Sequence, residues 1–422
     1  MRSGSFQFEA RTFAMGTINR GDLLDYHTLA AGGGIGYYSP KWKGLHFGVS
    51  GFFVFQIYEH NIRIADPTTG NVNRYEILLY DMNDLSNTSD LDRMEDFYLA
   101  WDRGGFSAVA GRQRIHTPML NEQDNRMRHN SFSGLTLRYE KNGWSGLAGI
   151  YNSLTMRGTV DWYSAEESFG VYPFGRNPLG TPSEYAGNVR SRGIGVAGIR
   201  KESEFIALQI WNYTAENVFN MLQVQAEGRA GKGDVKLLYG LQGFWQKPLN
   251  NGGNPELTKA YIDPDAPGYA AGAKLGAGTE VRKLTLNTLR IHDSGRLLFP
   301  REWGREQFFV SLPRERHEGN GDVWSVMLRY EEEVSENFRY MLGAASVRNP
   351  STDSFALNKY GVPSYYHFAG TAEYAFGGYF KGLHIMAIVA NKVAARPSEV
   401  NDAERINRVD MWNFSLVGNY HF

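Results

Sequence analysis

Apolar and polar residues alternate with a period of two through most of this chain. Phe6, Phe8 and Ala10 oppose Gln7, Glu9 and Arg11. Leu29, Ala31, Gly33, Ile35 and Tyr37 share one face of the next run, and Leu45, Phe47, Val49, Phe53, Phe55 and Ile57 oppose His46, Gly48, Ser50 and Gln56. Successive side chains of a strand point to opposite faces, so each run predicts a two-faced β-strand. Similar runs at 94–101, 106–115, 135–140, 144–151, 193–200, 205–211, 222–227, 235–245, 269–277, 281–291, 323–330, 338–347, 366–376, 383–392 and 409–422 bring the predicted total to eighteen.

The connections between these runs alternate between long and short. The short ones fall at 39–44, 102–105, 141–143, 201–204, 228–233, 278–280, 331–337 and 377–382. Between them lie long polar insertions such as 58–92, 152–190, 246–268 and 292–321, with one of medium length between 211 and 222. A soluble sandwich has no reason to gather its long loops at one end, whereas an outer-membrane barrel has tight periplasmic turns and extended outer loops. The expected fold is therefore all-β: one transmembrane, antiparallel, up-and-down β-barrel of about eighteen strands spanning 1–422, with some outer loops folded into the lumen. No apolar run approaches the roughly 20 residues of a spanning helix, which leaves a barrel open because strands cross lipid with half-apolar segments. In the last run Trp412, Phe414, Leu416, Gly418, Tyr420 and Phe422 share a face, so the chain ends on an aromatic.

Composition narrows this further. Aromatics make up 14% of the 422 residues and glycine numbers 48, both spread along the whole length, which suits aromatic girdles and many tight turns. Cysteine is absent, which excludes disulfides, thiolate metal sites and cysteine nucleophiles. A net charge of −1 gives no footprint for nucleic acid. A bacterial outer-membrane barrel needs a secretory signal; the sequence runs from Met1-Arg2 straight into a strand, so the expectation is that a signal has been removed and an initiator Met kept or added.

Candidate chemistry centres on 110–134. Arg112 and Arg114, two apart on a predicted strand, are expected on one face, with Val109, Gly111 and Ile115 on the other. The expectation is a water-filled lumen on the arginine side and lipid on the other. Loops 115–131 and 292–321 are expected to fold inward and narrow the pore. Arg126 and Arg128 in the first, Arg296, Arg301, Arg305, Arg314 and Arg316 in the second, and Arg138, Arg282, Arg290 and Arg329 on strands complete a candidate series of cations. The guanidinium fork suits carboxylates, and a row of such sites passes an anion along if each binds weakly enough to release. Asp124, Glu302, Glu306 and Glu315 would hold loop arginines or meet a cationic part of the solute. Structural ion-pair networks bracing the loops are the competing reading for each arginine.

Other signals are weaker. Gly32-Gly33-Gly34-Ile35-Gly36 lacks phosphate-cradle spacing and reads as close strand packing. Asp81, Asp84, Asp90 and Asp92 form an acidic stretch, a weak candidate for Ca²⁺ without a fixed motif; no other metal and no cofactor is expected. His116, His129 and His317 are the residues to watch for the alternative of a barrel hydrolase with a rim active site. A structural or partner-binding barrel is a further alternative. The main reading is a non-enzymatic, passive, solute-selective channel.

The segments GRQRIHTPMLNEQDNRM (111–127) and HDSGRLLFPREWGREQFFVSLPRERHEG (292–319), the terminal aromatic strand and the eighteen-run layout together resemble the OprD-like family of substrate-specific porins. The resemblance covers essentially the whole chain. It implies an eighteen-stranded barrel of monomer type in the Gram-negative outer membrane; the sequence itself leaves monomer and weak trimer both open. It further implies inward loops forming an eyelet and a basic ladder guiding small carboxylate-bearing solutes. The matching ladder positions are Arg112, Arg114, Arg126, Arg128 and Arg138, and less closely Arg290, Arg301, Arg305, Arg314 and Arg316. Implied partners are outer-membrane lipid and lipopolysaccharide, the solutes themselves, and a surface lipoprotein or neighbouring barrel.

Overall fold

The computed structural model describes residues 3–172 and 175–422; Met1 and Arg2, read above as the remnant of processing, lie outside them. Eighteen long strands form the barrel: β1 (Ser5–Asn19), β2 (Tyr26–Tyr38), β3 (Leu45–His60), β4 (Arg93–Arg103), β5 (Phe106–Gln113), β6 (Ser131–Lys141), β7 (Trp144–Thr155), β8 (Ile194–Glu202), β9 (Ile206–Ala215), β10 (Phe219–Ala230), β11 (Lys236–Pro248), β12 (Gly268–Gly278), β13 (Arg282–Ile291), β14 (Val323–Ser335), β15 (Phe338–Arg348), β16 (Tyr365–Ala375), β17 (Leu383–Ala394) and β18 (Met411–His421). A two-residue strand, Tyr163–Ser164, adds to β7 at the long-loop end.

Each strand pairs antiparallel with its neighbours in sequence, and β1 closes on β18 from Glu9↔His421 to Asn19↔Met411. Closure leaves no sheet edge, so each strand finds its backbone partners within the barrel wall, as a hydrocarbon surrounding demands. The terminal Phe422 takes part: its backbone exchanges N–H···O bonds with Phe8 (3.1 and 3.2 Å), and the two rings stack at 5.7 Å.

The outward face is the apolar set read from the alternation. Phe53, Phe55, Leu99, Leu137, Leu208, Leu241, Leu286, Leu328 and Leu416 are all exposed. In water so many exposed large apolar side chains would aggregate; on a closed barrel they form a lipid-facing band. Aromatics mark its rims, with Trp101, Phe106, Tyr139 and Trp144 at the short-turn end and Trp245, Tyr269, Trp324, Tyr366 and Trp412 at the other.

Strands run further toward the long-loop end than the alternation indicates. The end of β1 falls within 17–27, expected as loop; its inward residues Met15 and Thr17 are buried by inward loops while Ile18 stays exposed on the outer face. The same effect corrects one connection. The medium loop expected between 211 and 222 is only 216–218, with Asn217 in the left-handed region (φ 66°). Tyr213, Phe219 and Met221 continue the ladder with buried side chains, so polar alternation disappears while strand pairing persists.

Candidate functional site: a cationic cavity inside the barrel

The middle of the barrel is occupied by chain 114–130 and chain 292–322. Their apolar residues (Ile115, Met119, Leu120, Met127, Leu297, Phe299, Trp303, Phe308, Leu312) are all buried. With lipid outside and strands around them, these residues have only each other and the inner wall to pack on. Trp303 sits edge-on to Phe169 (4.9 Å) and Phe299 (5.9 Å), and its Nε1–H donates to Ser168 Oγ at 2.8 Å.

The two segments are stitched by backbone contacts. Asn121 Nδ2 donates to Arg305 O (2.8 Å) while Arg305 N donates to Asn121 Oδ1 (3.0 Å). Asn121 N donates to Trp303 O (3.2 Å), Gln123 Nε2 to Arg301 O (2.7 Å) and Asn130 Nδ2 to Glu302 O (2.8 Å). Strand side chains fix the first segment: Arg11 grips Asp124 with both terminal nitrogens (2.5 and 3.1 Å) and the carbonyl of Arg126 (2.8 Å), and Tyr213 OH receives Met119 N–H (3.2 Å).

Three cavities lie in series around this knot. The outer one, about 590 Å³, is walled by loop residues near 69–74, 175–182, 352–361 and 401–408. The inner one, about 700 Å³, opens among residues near the short turns, including Glu280, Lys283, Glu333 and Arg339. A small middle cavity of about 100 Å³ shares Arg74, Tyr360 and Arg408 with the outer cavity and Asn125 and Arg305 with the inner one.

The middle cavity is lined by nine cations, Arg74, Arg126, Arg157, Arg301, Arg305, Arg314, Arg316, Arg408 and Lys392, and one carboxylate, Glu315. Glu315 is already engaged by His367, Lys392 and Tyr365. Burial pushes its carboxyl up, but Lys392 and His367 outweigh that and hold it far below the usual range. Two of the arginines are also neutralised: Arg301 pairs with Glu318 and stacks on Tyr360 at 3.6 Å, and Arg316 pairs with Glu306 at 3.0 Å.

The other six arginines have no carboxylate within 4.0 Å among the described residues. Five of them, Arg126, Arg157, Arg305, Arg314 and Arg408, are held by neutral oxygens instead. Arg126 donates to Tyr75 O and Asn125 O, Arg305 to Leu312 O, and Arg314 to Asn413 Oδ1 and Ser415 Oγ. Arg157 reaches Asn125 Oδ1, and its buried Nε has no partner among the described residues. Burial, followed by the repulsion of Arg314 and Arg157, pulls Arg126 well below the ordinary guanidinium range. Burial and neighbouring arginines bring Arg157 to about 9 and Arg305 to about 10. A delocalised guanidinium still holds its proton at neutral pH, so this strain is relieved by an arriving anion rather than by proton loss.

Several expected positions lie elsewhere. Arg112 pairs across strands with Phe97, which is 60% exposed on the outer face, and its guanidinium stacks over Trp162 at 4.3 Å. It therefore points outward, and Val109 of the same strand faces in and is buried. Arg114 does turn inward, because β5 ends at Gln113 and the alternation stops with it; Arg114 lies 3.8 Å from Asp96. Arg138 is on the inner face and donates to the carbonyl of Arg114 at 3.2 Å. Arg290, opposite the exposed Trp324, also points outward, over that ring at 5.1 Å and bonded to Asp322 at 2.6 Å. Arg282 shares that outer face with Glu332.

Arg128 is a clamp: fully buried, it donates to Leu91 O (2.7 Å) and Tyr80 O (3.1 Å) and does not line the cavity. Arg296 similarly binds the carbonyls of Arg176, Asn177 and Phe355. Glu302 receives the N–H groups of Gly170 and Tyr172. Arg11, Arg74, Arg157, Arg408 and Lys392 join the interior although nothing in their local sequence marks them; they come from three loops and two strands.

No calcium site forms from Asp81, Asp84, Asp90 and Asp92. No group of three or more metal-ligating side chains converges among the described residues, and Asp81 and Asp84 cap turns through Asn83 N–H and Ser86 N–H. The histidines do not make a rim site. His116 lies in the inner cavity, His129 is buried against Glu95 at 3.2 Å, and His317 is buried beside Phe308. None bonds a serine hydroxyl among the described residues.

No protein-family model matches the sequence, and no curated protein matches it. Solved structures match along the whole chain. Pseudomonas aeruginosa OpdK, solved with vanillate, is 14% identical at a TM-score of 0.74, covering 99% of this chain and 98% of its own. Pseudomonas aeruginosa OccK9 (OpdG) is 13% identical at 0.75, with 99% and 98% covered. Acinetobacter baumannii OccAB4 is 13% identical at 0.74, with 100% and 98% covered. The fold is that of the OprD-type outer-membrane channels.

Proposed function

We propose that the protein is a passive channel of the bacterial outer membrane, selective for small anionic, carboxylate-bearing solutes. The observation that carries this reading is the middle cavity: six arginines without a carboxylate partner, placed where the outer and inner cavities meet. Segments 114–130 and 292–322 form the constriction. Arg74 and Arg408 collect the anion from the outer cavity, where both also line the wall. Arg126, Arg157 and Arg314 hold it, and Arg305 hands it to the inner cavity. Arg126, Arg157, Arg305, Arg314 and Arg408 are already anchored to neutral oxygens, so their geometry is set before the solute arrives. The inner cavity then carries seven carboxylates (Glu122, Asp124, Glu280, Glu306, Glu331, Glu333, Glu373) against four Lys and Arg (Lys283, Arg305, Arg329, Arg339). An anion there is bound less favourably, which promotes release along its gradient. That OpdK was solved with vanillate, an aromatic carboxylate, agrees with this solute class.

The test is reversal potential in planar bilayers under a KCl gradient, for wild type and for Arg126→Ala with Arg314→Ala. A unit charge about 8 Å away contributes about 2 kcal/mol at an effective dielectric of about 20. Screening over a Debye length of about 8 Å leaves somewhat under 1 kcal/mol, or about fourfold per charge. The double variant is therefore expected to lower anion-over-cation preference about tenfold or more. A wild-type pore without anion preference, or no single-channel steps at all, rejects the proposal.

A further inference from the structure

We infer that the preferred solute carries at least two ionised oxyanion groups, so that a small di- or tricarboxylate is taken up in preference to a monocarboxylate of the same size. The inference rests on the channel reading and names the charge of its solute. The charges on the cavity wall carry it. Glu318 and Glu306 neutralise Arg301 and Arg316, and Glu315 serves Lys392. Six guanidinium groups remain around a space of about 100 Å³, with no carboxylate on any of them among the described residues. One monoanion neutralises a sixth of that charge.

The donors also arrive from more than one side. Arg126 and Arg305 belong to the two crossing segments, Arg157 comes from the loop after β7, Arg408 from the loop before β18, and Arg314 lies against β18 through Asn413 and Ser415. A single carboxylate accepts one bidentate fork. Guanidinium groups brought by separate segments are engaged together by oxyanion groups at two ends of one molecule, or by a compact dianion such as phosphate. The shared chemistry is multiple negative charge, and the two sources are separable.

The experiment measures block of the chloride current through single wild-type channels by propionate, succinate, tricarballylate and inorganic phosphate, in the same bilayers that give the reversal potential. Succinate and tricarballylate are expected to block at concentrations about tenfold or more below propionate, since each added charge meets unpaired guanidinium. Phosphate acting with succinate shows that charge is read; phosphate acting with propionate shows that two separated carboxylates are read. Equal block by propionate and succinate overturns the inference, while an anion-selective reversal potential in those bilayers leaves the channel reading standing. Arg126→Ala with Arg314→Ala is expected to shrink the succinate-to-propionate ratio, and Arg126→Lys with Arg314→Lys, which keeps the charge, to restore part of it. Because the decisive comparison uses the wild-type channel, a variant that assembles poorly does not blunt the test.

Discussion

Gly304 lies where the two inward segments touch backbone to backbone, and Gly304→Ala probes whether that contact holds the constriction. A methyl group there would meet the carbonyl oxygen of Met119 far inside contact distance, and the amide nitrogen of Asn121 at 2.9 Å. Neither is the end of a flexible side chain, so one segment must move. If it stays, overpacking costs about 1–3 kcal/mol. If it moves, it stretches the reciprocal Asn121–Arg305 pair at 2.8 and 3.0 Å, and each lost hydrogen bond costs about 1 kcal/mol. Either route falls within about 1–3 kcal/mol, a roughly 5- to 150-fold shift toward the loosened arrangement. The barrel wall does not depend on this contact, so heat-modifiable gel mobility should match wild type. Single-channel recordings should show larger and noisier conductance with weaker anion preference, because Arg305 leaves its place between the cavities. A folded Gly304→Ala channel with wild-type conductance and selectivity would show that the stitch does not set the pore.

Three further outcomes follow from the geometry. Arg112→Ala and Arg290→Ala should leave reversal potential and conductance unchanged, since both guanidinium groups stack on outer-face tryptophans; a clear loss of anion preference would put them back in the pathway. Glu315→Gln removes the one carboxylate that lines the middle cavity among the described residues and frees Lys392, so anion preference measured by reversal potential should rise severalfold. For acid, burial raises the Asp124 carboxyl but Arg11 more than offsets it, leaving the folded value below the ordinary 3.8. A lowered folded value means the Arg11–Asp124 clamp contributes in full above about pH 4 and is lost as pH falls through the folded value. Conductance should thus hold steady from neutral pH to about 4 and become noisy only below it, and Asp124→Asn should be noisy at every pH.

The outward face was legible residue by residue because lipid on one side of a strand and a wet or packed interior on the other impose a strict period of two. That physics operates locally, so Phe53, Leu137 or Leu416 could be assigned without knowing any neighbour, and the order of strands followed from the alternation of long and short connections. The rule fails where either condition lapses. Where inward loops cover the interior, inward residues such as Met15, Tyr213 and Met221 are apolar, so the ends of β1, β9 and β10 lose the polar alternation while keeping their pairing, and the connection at 216–218 was read too long. Near the rim an arginine can lie outward against tryptophan, as Arg112 and Arg290 do, and residue type alone does not separate that from an inward position.

The interior cavity was beyond local reading for a different reason. Its walls combine Arg74, Arg126, Arg157, Arg314 and Arg408 from loops separated by dozens to hundreds of residues, and which of them meet depends on how the loops cross inside a closed cylinder. Whether a given arginine is free or neutralised turns on a partner such as Glu318 for Arg301 or Glu306 for Arg316. Sequence by itself determined a closed two-faced cylinder and an excess of arginine in two inward segments. Only the tertiary structure decided which of those charges lack a counter-charge, because pairing is set by distances of a few ångströms between segments that the chain order leaves unrelated.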